Sequence, residues 1–287
     1  MKKAFVLLLT LMLLSAVFCA HAQQTNPYAA PSNYDVRKSD VQYGEVKYHT
    51  YQSTTTGTER KCFVILPPNY DPEKAYPVLY LFHGIGGDHA EWMGGKPDVI
   101  IGNLIAAGEA EEMLIVTPNI KAFPKGTIFS GNMYSAEAFS AFDNFINDFR
   151  DDLMPFIAST YNIAEGRENT AVAGLSMGGR ESLYIGLTMQ DEIGYVGAFS
   201  PAPGVLGYEV EGGLIPEAEM KVRDGYKTLL LINTGLSDTT VGAWPKTYSE
   251  ALAKNGTEHI YYETIGGHDF FTWKNGLYNF AKRIFKP

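Results

Sequence analysis

Between the apolar run Thr170-Ala171-Val172-Ala173 and the helical pattern Arg180 to Leu187, the chain reads Gly174-Leu175-Ser176-Met177-Gly178-Gly179. A serine with glycines two residues to either side, set between a strand and a helix, is the pattern of a sharp turn that holds the hydroxyl at its apex. Such a turn forces strained backbone angles on the serine, and its neighbours must lack side chains for the turn to close. The pentapeptide is short, so its weight comes from the strand before it, the helix after it and the residues found downstream.

The rest of the chain supplies the matching architecture. Glu45 to Tyr51 and Arg60 to Leu66 read as strands joined by the turn Thr54-Thr55-Thr56-Gly57, an antiparallel hairpin. Beyond the loop Pro67 to Pro72, short apolar runs alternate with longer helical patterns. The strands expected are Val78 to Phe82, Met113 to Thr117, Thr170 to Ala173, Tyr195 to Phe199, Thr228 to Asn233 and His259 to Thr264. The helices expected are Val99 to Ala107, Ala136 to Thr160, Gly179 to Met189, Trp244 to Lys254 and Phe271 to Phe285. Within the longest of these, Phe139, Phe142, Phe145, Ile146, Phe149 and Leu153 recur at helical spacing and read as a core stripe. This alternation predicts an α/β fold: a mostly parallel sheet, antiparallel at its N-terminal end, with helices on both faces.

The N-terminus has the form of a secretory signal peptide over residues 1–22, with Lys2 and Lys3, an apolar stretch from Ala4 to Phe18, and Ala20-His21-Ala22 ahead of the cut. A lipoprotein signal through Cys19 fits less well, because Phe18 stands where a small residue is wanted. The expectation is an exported protein, periplasmic or secreted and soluble after cleavage. Residues 23–43 read as an extended lead-in and 44–287 as one domain, with no internal repeat or linker. Once the leader is removed, Cys62 is the only cysteine, so no internal disulfide forms and Cys62 reads as packing. Acidic residues outnumber basic ones by 32 to 23. That balance argues against nucleic acid or an anionic membrane as partner, and no obligate protein partner is evident.

In a parallel sheet, chemistry gathers at the carboxyl ends of the strands. The polar residues just beyond those ends are His83, Ser176, Asp238 and His268. Serine needs a base oriented by a carboxylate. His268, in Gly266-Gly267-His268-Asp269 after the last strand, follows Ser176 in the chain order serine, acid, histidine. Asp238, in Thr234-Gly235-Leu236-Ser237-Asp238, is the acid preferred, with Asp269 and Glu211 as rivals. Two backbone N–H groups would face the developing oxyanion: that of Met177, and one from His83-Gly84-Ile85-Gly86-Gly87, with Ile85 preferred and Gly84 second. The same glycines fail the dinucleotide fingerprint because His89 stands where glycine or alanine is required. His83, Asp88 and His89 lack a third histidine at useful spacing for a metal. No cofactor is expected.

The stretches Leu81 to Gly87, Ile115-Val116-Thr117-Pro118-Asn119, Ala173 to Gly179 and Gly266 to Phe270 resemble the esterase D group of α/β-hydrolases, and more closely the carbohydrate esterase family 1 feruloyl and acetylxylan esterases. The likeness runs from about Gly44 to the C-terminus. It implies the α/β-hydrolase fold, Ser176 as nucleophile, His268 as base and Asp238 as its orienting acid. It also implies release of ferulic or acetic acid from arabinoxylan, with feruloyl esters preferred. Ile128 to Ala136 is longer and more polar than the family's usual connection. Trp92, and behind it Trp273, are the aromatic residues placed to line a slot for a planar acyl group. The other functions open to this pattern are an acetylxylan esterase, an acyltransferase, or a sugar-binding relative without activity.

Overall fold

The computed structural model describes residues 26–207 and 213–286, so the leader expected at residues 1–22 lies outside them. Eight strands form one sheet: β1 Val46–Ser53, β2 Thr58–Ile65, β3 Val78–Phe82, β4 Leu114–Pro118, β5 Thr170–Leu175, β6 Tyr195–Phe199, β7 Leu229–Gly235 and β8 Ile260–Thr264. Their spatial order is β1-β2-β4-β3-β5-β6-β7-β8. The β1–β2 and β2–β4 pairs are antiparallel, and all others are parallel. Sequence and structure agree on the α/β-hydrolase architecture. Strands β3 and β4 are buried at every position, as expected of strands covered on both faces.

Helices α1 (Pro97–Ala106) and α7 (Phe270–Ala281) cover one face, placing Ile100, Leu104, Leu277 and Phe280 against Leu79, Ile115 and Ala173. The other face carries α2 (Ala136–Asp143), α3 (Phe145–Asp148), α4 (Met154–Thr160), α5 (Met177–Thr188) and α6 (Trp244–Lys254). There Phe142, Phe145, Ile146, Phe149 and Leu153 of the expected stripe, with Phe139 packed at its edge and Ile157 added to it, lie in one core with Val64, Tyr80 and Val116.

The single helix expected over residues 136–160 is instead a broken path, because a π-helical turn, Phe149–Leu153, separates α3 from α4. Pro155 accounts for the widening, since its ring cannot donate to the carbonyl one turn back. The turn also brings two inward carboxylates to the hairpin. Asp148 is fully buried beside Arg60 at 3.1 Å and accepts from the Tyr51 hydroxyl at 2.6 Å. Asp152 accepts from the Thr54 N–H at 2.8 Å and the Thr55 N–H at 3.0 Å.

Residues 26–43 run as a series of turns across α1 and α7. Asn103 donates to the carbonyls of Tyr34 and Val36, and Asn275 and Asn279 both donate to that of Tyr28. The Tyr28 ring stacks on Tyr262 at 4.1 Å, and Asp35 pairs with Lys274. Cys62 is buried, and burial pushes its thiol up to about 12, so it stays protonated and packs as a small apolar group. Among the described residues no helix is long and apolar enough to cross a membrane.

Candidate active site

Ser176 stands between β5 and α5 with φ 53° and ψ −115°, a conformation that side-chain-bearing residues rarely adopt. The surrounding packing holds it there. Its N–H donates to Phe199 O at 2.8 Å, and its carbonyl accepts from Arg180 N and Ala202 N, both at 3.0 Å. The glycines are obligatory for contact. A Cβ on Gly174 would lie 2.4 Å from the Gly178 carbonyl carbon, and one on Gly178 would lie 2.4 Å from Phe82 O.

Three of the four residues nominated from the strand ends, Ser176, Asp238 and His268, meet. His268 Nε2 lies 2.9 Å from Ser176 Oγ, and His268 Nδ1 lies 2.9 Å from Asp238 Oδ2. The loops that deliver them run side by side: Leu236 N–H donates to Thr264 O at 2.8 Å and Ser237 N–H to Gly266 O at 2.9 Å. Gly235 is needed for this approach, because a Cβ there would fall 2.5 Å from Gly266 O. Behind His268 the Trp273 ring packs edge-on, with centroids 5.1 Å apart. Asp238 Oδ1 accepts from the N–H groups of Thr240 at 3.1 Å and Val241 at 3.3 Å. Burial works to raise the Asp238 carboxyl, but His268, Ser200 and the Val241 N–H outweigh it and hold the group below the ordinary carboxylate range. It therefore remains ionised and fixes the imidazole with Nδ1 as donor and Nε2 as acceptor.

The rivals for the acid fall away differently. Asp269 is the N-cap of α7, accepting from Phe271 N–H at 2.9 Å and Thr272 N–H at 3.3 Å. Glu211 lies outside the described residues.

The loop after β3 passes directly beside the serine, since a Cβ on Gly84 would be 3.6 Å from Ser176 Cβ. Neither the Ile85 nor the Met177 N–H has a hydrogen-bond acceptor among the described residues. The Gly84 N–H, the second choice, is occupied by Glu91 Oε2 at 2.6 Å. His83 orients the next peptide. Its Nε2 accepts from Ile120 N–H at 2.9 Å, so Nδ1 carries the proton and donates to Gly84 O at 2.6 Å. Burial pushes His83 down to about 4, which keeps the ring neutral in this arrangement. A planar trans peptide with its carbonyl tied inward points its N–H, that of Ile85, to the opposite side. Sequence reasoning missed Glu91, which lies outside the motif that frames the loop, and this use of His83, because the direction of a ring within the motif depends on Ile120 and the Gly84 carbonyl. Glu91→Ala should lower kcat about tenfold with little change in KM, since the loop is loosened and no donor is deleted. Glu91→Gln, which keeps an acceptor, should restore most of the loss. Steady-state kinetics on a small soluble ester would show both, and an unaltered kcat in Glu91→Ala would deny the bracing.

Trp92 requires a correction. It lies in the 3₁₀ turn Glu91–Gly95, is 0 % exposed, donates from Nε1 to Phe82 O at 2.7 Å, and packs edge-on against Phe199 and Phe270. It is a core residue and cannot line a slot. Trp273 touches His268 but is buried beside it. The segment 128–136, singled out as unusual, has Ile128 94 % and Tyr134 75 % exposed, with Phe123 and Phe129 paired at 4.9 Å behind them. No group of three or more His, Cys, Asp or Glu side chains able to hold a metal occurs among the described residues.

Residues 53–284 match the family model described as "Putative esterase". Among solved structures, a ferulic acid esterase of Anaeromyces mucronatus in complex with ferulic acid is 40% identical, with a TM-score of 0.85 over 90% of this chain and 97% of that one. Among curated proteins, the endo-1,4-beta-xylanase/feruloyl esterase of Xylanibacter ruminicola is 30% identical over 258 residues, 87% of this chain and 32% of that protein. Endo-1,4-beta-xylanase Y of Acetivibrio thermocellus is 31% identical over 180 residues, 58% of this chain and 15% of that protein. The chain thus spans about a third or less of the length of these curated relatives.

Proposed function

Because this chain belongs to the Esterase family, we propose that it is a serine carboxylic-ester hydrolase releasing ferulic and related hydroxycinnamic acids from arabinoxylan. The observation that carries this reading is the relay Ser176–His268–Asp238, with both links at 2.9 Å, mounted on a strained elbow beside a glycine loop. The likeness, nearly end to end, to the Anaeromyces mucronatus ferulic acid esterase supports the acyl group. The xylanase relatives support the polymer. The leader-like residues 1–22 fit a protein exported to meet such a polymer.

Ser176 Oγ attacks the ester carbonyl carbon while its proton passes to His268 Nε2. The carbonyl oxygen becomes an oxyanion facing the Ile85 and Met177 N–H groups, which are already in place and need no reorganisation as charge develops. Asp238 stabilises the imidazolium formed beside it without taking its proton. Collapse of the tetrahedral species breaks the bond to the sugar oxygen, which leaves with the proton from His268. The hydroxycinnamoyl group then remains as an ester on Ser176. Water, losing its proton to His268 Nε2, attacks that ester. The second tetrahedral species collapses with cleavage of its bond to Ser176 Oγ, which takes the proton back from His268 and frees the acid.

One panel tests this with a single preparation: methyl ferulate, p-nitrophenyl acetate, acetylated xylan and feruloylated arabinoxylan. Release of ferulate from both methyl ferulate and arabinoxylan is expected, with acetylated xylan cleaved far more slowly. Rapid deacetylation of xylan without ferulate release would replace the reading with an acetylxylan esterase.

A further inference from the structure

The antiparallel end of the sheet carries an aromatic cluster that the ester chemistry does not use. Tyr48 on β1 faces Phe63 on β2, and Phe63 faces Thr117 on β4, so one row crosses three strands. His89 lies on this row: its ring is 5.1 Å from Phe63 and 6.0 Å from Tyr48, while Tyr48 and Phe63 meet edge to face at 5.7 Å. Thr117 Oγ1 donates to His89 O at 2.7 Å and fixes that end. The three rings therefore hold one another at set angles, yet Tyr48 remains 51 % exposed and its hydroxyl has no hydrogen-bond partner among the described residues. Val46 and Thr50, two residues to either side on the same strand face, are exposed as well, and Lys61 stands opposite Thr50.

We propose that Tyr48, Phe63 and His89 form a platform for the sugar chain that bears the ester, a subsite on the polysaccharide side of the cleft. This rests on the arabinoxylan esterase reading above. Three observations favour a neutral sugar chain as occupant. A fixed, partly exposed aromatic surface offers an apolar face to the C–H side of a sugar ring, and Thr50, Lys61 and the free tyrosine hydroxyl border it with groups that reach hydroxyls. The formal net charge of −9 disfavours an anionic polymer. The platform is also tied to the reacting centre through the chain, because His89 follows Ile85 by four residues in the same stretch after β3.

Its reach fits a polymer and excludes a small ester. Four strand spacings separate β1 from β5, which at about 4.8 Å each puts Tyr48 roughly 20 Å from the elbow. A methyl ester ends well short of that distance. A sugar chain of several residues spans it, and its grip there raises the effective concentration of the ester at Ser176.

The test compares wild type, Tyr48→Ala and Tyr48→Phe on methyl ferulate and on feruloylated arabinoxylan, with retardation of each protein by saponified arabinoxylan in native gels. For Tyr48→Ala we expect kcat/KM on arabinoxylan to fall about five- to tenfold, mainly through KM. Methyl ferulate kinetics should stay within about twofold, and retardation by the saponified polymer should weaken; Tyr48→Phe should keep most of each. Equal losses on both substrates, or unchanged retardation, would overturn the platform. If wild type cleaves neither ester, the esterase reading fails, while retardation that Tyr48→Ala abolishes would still uphold the sugar site. A fall in molecular mass on Tyr48→Ala would show that the rings seat a second copy of this chain, and would also overturn the proposal.

Discussion

Ser176→Ala should lower kcat for methyl ferulate by about 10⁴-fold or more while leaving the thermal unfolding profile close to that of wild type. The substitution removes the attacking oxygen and nothing that shapes the turn. Alanine bears the same positive φ as serine at a similar energetic cost, and the bonds from Ser176 N–H to Phe199 O and from Arg180 and Ala202 to its carbonyl belong to the backbone. Any residual turnover would come from water attacking an ester still polarised by the two N–H groups proposed to face the oxyanion, those of Ile85 and Met177. A variant that kept a tenth of wild-type turnover would remove Ser176 from the nucleophile's role.

Asp238→Asn should cost about 10³- to 10⁴-fold in kcat at neutral pH, for a reason specific to this loop. Oδ1 of Asp238 is anchored by two backbone donors, Thr240 and Val241, so an asparagine there keeps its oxygen on them and turns its amide nitrogen toward His268. Facing a donor, Nδ1 must become the acceptor and the proton moves to Nε2. Nε2 then points a hydrogen at Ser176 Oγ and cannot receive the serine proton. Mild acid would not imitate the variant, because the wild-type carboxyl is held below its ordinary range and stays charged. Single-turnover acylation rates on methyl ferulate would isolate the step, and a loss smaller than tenfold would mean that the carboxylate does not set the tautomer.

The site was legible where a constraint is local or topological. The elbow needs glycines within two residues of the serine, and Asp238 and His268 each lie just past a strand end, on β7 and β8, which the sheet sets side by side. Sequence alone leaves Asp269 and Glu211 as rivals for the acid. Facing within a short turn is not local information. Trp92 is close in sequence to the oxyanion loop, yet its 3₁₀ turn rotates the ring into the core, where Phe82 O waits for its N–H. Asp269 illustrates the same limit from the other side: one residue from the base, it is committed to the first turn of α7. The interruption of the helix near Phe149 did have a signal, Pro155, which the strong phenylalanine stripe concealed.

The turns at residues 26–43 give this chain an unusual order of completion. Tyr28 accepts hydrogen bonds from Asn275 and Asn279, residues 247 and 251 positions later, and Asp35 reaches Lys274. Contacts of such separation form only after the intervening chain is available. Residues 26–43 must therefore wait for α7 before their docking is complete, and α7 is also the helix that begins two residues after His268. Until α7 is made, the segment 26–43 lacks its partners Lys274, Asn275 and Asn279, and the loop that carries His268 has no helix to anchor it. Loss of α7 would therefore be registered twice, in the docking of residues 26–43 and in the loop that holds His268.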